Sequence, residues 1–138
     1  MTAIIKYIHQ LPQNLLGLLL VKITKATKLS SVYSDTNIHF YVANRFNTKW
    51  TGVSLGEYIV LANYRQATEN TVRHEHGHQI QSQKLGWLYL IFIGIPSFLG
   101  NIYDRVFHSK WSRPRRIKWY YSQPWEKSAD KLGKVERI

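Results

Sequence analysis

The stretch TENTVRHEHGHQIQSQK, residues 68–84, decides how the rest of the chain is read. It lacks proline, offers Thr68 or Asn70 as an N-cap, and meets Gly86 as a stop, so it is expected to be a helix. Within it, residues 74–78 read H-E-x-x-H. On a helix, His74 and His78 stand four residues apart on one face, close enough to grip one small cation. Glu75 lies about 100° around the same helix, near the cation without binding it, where it can polarise a water. Two neutral imidazoles and one carboxylate suit Zn2+ and leave a fourth position for that water. A helix with solvated histidines is the competing reading. It must explain why three of the six histidines fall within five residues, beside one of only eight acids.

A hydrolytic zinc needs a third protein ligand, and SQPWEKSADKLG, residues 122–133, offers one. Pro124 suits a first helical turn and Gly133 a stop. Glu126 and Asp130 are four apart on one face, while Trp125, Ala129 and Leu132 form an adjacent apolar stripe that can dock on the core. Glu126 is then the third ligand. Asp130 is the acceptor for the remaining N–H of a metal-bound histidine, His74 in this reading, fixing its tautomer. Without the upstream motif, the same helix reads as amphipathic with two solvated acids.

Outward from these helices, 138 residues suit one domain, 1–138. Residues 28–37, KLSSVYSDTN, read as a turn. Runs rich in branched and aromatic residues at 38–45, 49–55 and 57–64 suggest an antiparallel meander. Residues 1–27 carry Ile4, Ile8, Leu11, Leu15, Leu18 and Leu19 at helical spacing, with Lys6, Gln10, Gln13 and Asn14 off that stripe. Pro12 is placed to divide them into two helices. The uncharged stretch 85–100, LGWLYLIFIGIPSFLG, is short for a membrane span and interrupted by Pro96. It reads as a buried loop beside a core N-terminal helix, with membrane-surface attachment as the second reading. The class is α+β, with a small antiparallel sheet over the H-E-x-x-H helix. A strand edge within 38–45 or 57–61 is expected to align a peptide.

The net charge of +11 and pI near 10.0 raise nucleic acid or an anionic membrane as partners. Lys110, Arg113, Arg115, Arg116 and Lys118, interleaved with Trp111 and Trp119, fit an anionic membrane surface better than nucleic acid, given the apolar stretch nearby. A solvated basic face is the plain alternative. Tyr120 and Tyr121 are candidate donors to an oxyanion. With no cysteine, any metal must be held by His, Asp or Glu. The N-terminus lacks a signal-peptide pattern, so a cytoplasmic or inner-face peripheral location is expected.

HEHGH followed by EKSADKLG resembles the gluzincin class of zinc metallopeptidases, defined by H-E-x-x-H and a distant glutamate helix. The second element is similar to the E-x-x-A-D-x-L-G signature of membrane-linked M48-type peptidases. The wider pattern, including the IPS of residues 95–97, also resembles small bacterial proteins of that type. The resemblance covers 73–133 and implies a zinc endopeptidase acting on a peptide or protein substrate. It implies His74, His78 and Glu126 as ligands, Glu75 as general base and Asp130 as orienting acid. The gap from His78 to Glu126 is longer than in compact soluble gluzincins, and the several spans of M48 enzymes are missing. The alternative is a basic nucleic-acid- or membrane-binding module with a structural or inactive metal site.

Overall fold

The computed structural model describes residues 2–33 and 35–137. Two helices, α1 (Ala3–His9) and α2 (Leu11–Thr24), precede strands β1 (Thr27–Tyr33), β2 (Thr36–Val42), β3 (Gly52–Leu55) and β4 (Tyr58–Leu61). Helix α3 (Glu69–Leu85) follows, then a 3-10 turn (Gly86–Leu88) and a π turn (Leu90–Gly94). The chain ends with α4 (Ile95–Phe107), α5 (Arg113–Ser122) and α6 (Pro124–Gly133). This is a small α+β fold.

The four-stranded sheet has the order β1-β2-β4-β3 and is mixed, not the expected antiparallel meander. β1–β2 and β3–β4 are antiparallel hairpins, but β2 and β4 pair in parallel, Tyr41 with Val60 and Val42 with Leu61. Short apolar runs do not reveal that β3 is carried outside β4, because register and direction come from pairing. Residues 28–37 are likewise mostly strand, with Asp35 the turn residue among those described. They supply most of β1 and the start of β2, and the polarity of β1 is that of an edge strand. The edges are therefore β1 and β3, while the two runs expected to align a peptide hold the interior strands. Ile38, Phe40 and Val42 alternate toward the core, where they meet Ile59, Leu61 and Val72 of α3.

Helix α3 begins where Thr68 Oγ1 accepts from Thr71 N–H at 3.3 Å and ends at Gly86, whose φ is +57°. Two glycines let α6 lie directly on it. A Cβ at Gly77 would sit 1.9 Å from the Ala129 carbonyl oxygen, and one at Gly133 would sit 1.9 Å from that of Arg73.

The N-terminal helices are inverted relative to the expected core-facing stripe. Gln10, Gln13 and Asn14 are 0 % exposed, whereas Ile4 is 72 % and Leu15 55 % exposed. A network under α2 engages every polar side-chain atom of these buried amides except Gln13 Oε1, which has no partner among the described residues. Gln10 Nε2 donates to Glu57 at 2.8 Å, and Ser82 Oγ donates to Gln10 Oε1 at 2.7 Å. Gln13 Nε2 donates to the Gly86 carbonyl at 2.7 Å, and Glu57 N–H donates to Asn14 Oδ1 at 2.7 Å. Directed hydrogen bonds to α3 and the β3–β4 turn select the polar face, since buried amides need partners. The stretch 85–100 also departs from expectation. It is helical, and most of its large side chains are exposed.

Candidate metal centre

The close approach of α3 and α6 brings His74, His78 and Glu126 together, with one ligand atom from each lying within 4.8 Å of the others. Both imidazoles aim Nε2 at the same carboxylate oxygen, Glu126 Oε2, at 2.9 Å from His74 and 3.0 Å from His78. The rings stand nearly perpendicular, at 85°.

The outer nitrogens decide the chemistry. His74 Nδ1–H donates to Asp130 Oδ1 at 2.7 Å. Gln81 Nε2 donates to the Trp125 carbonyl at 3.0 Å, which turns Gln81 Oε1 to accept from His78 Nδ1–H at 2.7 Å. Each neutral ring therefore carries its proton on Nδ1 and a lone pair on Nε2. Two such lone pairs facing a buried carboxylate make a trio of acceptors with no donor among them. Only a cation at their centre, protons or a metal ion, makes that arrangement favourable. This buried group could bind a metal ion, and its donors suit one.

The electrostatics agree. Burial disfavours the His74 imidazolium, yet the hydrogen bonds to Asp130 and Glu126 outweigh it and push the pKa up to about 9. Burial likewise opposes ionisation of Glu126, but both histidines hold its carboxyl well below the usual range. Glu75 sits one residue along α3, and its carboxylate has no hydrogen-bond partner among the described residues. Burial raises its pKa above the ordinary carboxylate value, against the pull of His74 and His78.

Residues with no conspicuous motif support the trio. Ser97, the single serine in the 85–100 stretch, donates to the second oxygen of Glu126. That leaves Ser97 Oγ to accept from Tyr120 OH at 3.3 Å, so the Tyr120 proton is engaged in holding Glu126. Tyr121 packs edge-on against His74, its ring centroid 5.0 Å away. Arg137 covers the other side of Tyr121 and grips both oxygens of Asp130, at 2.6 and 3.0 Å. His76 points elsewhere and meets Gln79 at 2.9 Å. Gln81, three residues after His78 on α3, was within reach of helical spacing. Ser97 and Arg137 come from elements whose placement the sequence does not signal. Comparison with family models, curated proteins and solved structures found no match for this chain.

Proposed function

We propose that the chain is a gluzincin-like peptidase in which His74, His78 and Glu126 hold Zn2+. The observation that carries this reading is the convergence of two tautomer-fixed imidazoles and one carboxylate, with an unpartnered Glu75 beside them. The spacings of 2.9 and 3.0 Å are near the roughly 3.3 Å tetrahedral edge implied by zinc–ligand bonds of about 2.0 Å. Two imidazoles and one carboxylate are a donor set of catalytic zinc, which keeps a position open.

Zinc in this position would supply a Lewis acid that polarises a peptide carbonyl and acidifies water. Glu75 takes the proton from the attacking water and passes it to the leaving amine. Asp130 and Gln81 keep both histidines in the ligating tautomer, and Ser97 orients Glu126. Gly52 opens edge strand β3 beside Glu75, 3.6 Å from its Cγ when a Cβ is added. An extended peptide paired with that edge would pass near the carboxylate. The basic surface of α5 favours the second reading, a polyanion-binding module with a structural metal.

Metal analysis tests the assignment. Gently purified protein is expected to carry about one zinc per chain, and His78→Ala to lose most of it. Peptide-library cleavage should stop with chelator and return with Zn2+. Metal-free protein, or cleavage indifferent to chelator, would sink the proposal. Asp130→Ala is expected to weaken Zn2+ binding ten- to a hundredfold in chelator competition. Wild-type affinity in that variant would reduce Asp130 to a partner of Arg137.

A further inference from the structure

We propose that this protein docks on an anionic lipid bilayer through one continuous apolar face formed by α1, α2 and the Trp87–Phe107 region. The inverted polarity of the N-terminal helices is the first observation. Their amides point inward while Ile4, Ile5, Ile8, Leu15, Leu16 and Leu19 point outward. In water that arrangement is the costly way round, and an apolar medium outside reverses the sign.

The second observation is α4. Ile93, Ser97, Gly100 and Asp104, at helical spacing, lie toward the protein, while Ile91, Phe92, Ile95, Phe98, Ile102 and Val106 are exposed. The two surfaces join, because exposed Trp87 donates its indole N–H to the Ile8 carbonyl at 2.9 Å. Between α4 and α6, an apolar groove of about 550 Å3 adjoins the same surface at Ile95, Leu99 and Tyr103.

Charge selects the occupant. Lys110, Arg113, Arg115 and Lys118 are exposed on or beside α5, and Lys22 and Lys25 lie at the end of α2. None of these six is ion-paired among the described residues, although Arg115 stacks over Trp111 at 3.8 Å. Anionic headgroups complement that rim, whereas a second copy of the same basic face would be repelled. Arg116 is already committed to Asp104, at 2.8 and 3.1 Å.

The Leu90–Phe107 helix is long and apolar enough to cross a membrane. Its inner face, however, is tied to the body. Ser97 bonds Glu126, Asp104 pairs with Arg116, and Arg105 donates to the Lys49 carbonyl at 2.7 Å. A helix held along one side and bare on the other lies in the interface, with its apolar face in the acyl boundary.

The test presents the purified full chain to vesicles of phosphatidylcholine alone or mixed with phosphatidylglycerol, read by co-sedimentation and tryptophan emission. Wild type is expected to prefer the anionic vesicles, with a blue shift from Trp87. Changing Lys110, Arg113, Arg115 and Lys118 to Gln should weaken that binding roughly fivefold per charge. Ile8→Glu with Phe92→Glu and Phe98→Glu should abolish binding to either vesicle while circular dichroism and zinc content stay unchanged. If that triple variant unfolds, Phe98→Glu alone must still cut binding at least about tenfold. Wild-type binding by the apolar variants would overturn the proposal. So would a soluble dimer or tight duplex-DNA binding without vesicle binding. Resistance to alkaline extraction would overturn the interfacial placement in favour of a span.

Discussion

Glu75→Gln is expected to lower peptide hydrolysis by roughly 10²- to 10⁴-fold, the usual contribution of a positioned general base. The change conserves shape and removes only the proton-accepting charge. Glu75 makes no hydrogen bond whose loss would disturb α3, and it lies outside the trio that converges on Glu126 Oε2. Zinc content should therefore stay near one per chain in this variant, while His78→Ala loses the metal and the activity together. That split separates catalysis from metal retention. Equal zinc loss in both variants would make Glu75 a ligand or a structural acid. Retained turnover in Glu75→Gln would remove it from the mechanism altogether. Because this readout is independent of vesicles, a failed membrane proposal and a failed peptidase proposal remain distinguishable.

Gly77→Ala is expected to destabilise the protein strongly although it adds only one methyl. The added carbon would fall 1.9 Å from the Ala129 carbonyl oxygen, a backbone atom that no side-chain rotation can move. Helices α3 and α6 must then separate, and overpacking of this kind costs about 3 kcal/mol. For a domain of this size that is on the order of 10 °C in Tm. Since Ala is ordinarily the better helix former, stabilisation would be expected if α6 did not lie here. The metal centre should suffer as well, because His74 and His78 flank Gly77 on one side of the crossing and Glu126 stands on the other. Thermal unfolding and zinc titration check both effects. A variant as stable as wild type would mean that the two helices do not approach this closely.

How much was legible in the sequence depended on whether the signal was local. The H-E-x-x-H helix and the Glu126–Asp130 face each rest on residues four apart within a single helix. Spacing alone therefore says which side chains share a side. The candidate ligands were legible for that reason, although nothing in the spacing says that α6 crosses α3 at Gly77. Pairing direction was not legible. β2 and β4 lie side by side in parallel although β3 intervenes in the chain, and composition is silent on which neighbour a short strand selects. The polar residues of β1 disguised an edge strand as a turn for the same reason.

The N-terminal helices show the limit most sharply. The period that marks Ile4, Ile8, Leu15 and Leu19 as one face was readable, but the inference that this face turns inward was wrong. Periodicity identifies a face without saying which medium it meets. Here Ser82, Glu57 and the Gly86 carbonyl, supplied by distant segments, hold Gln10 and Gln13 inward. Local pattern was enough for the α+β class and for the helical residues able to ligate a metal. Packing alone assigned Ser97 and Arg137 to their support, because those hydrogen-bond partners come from segments far from α3 in the chain.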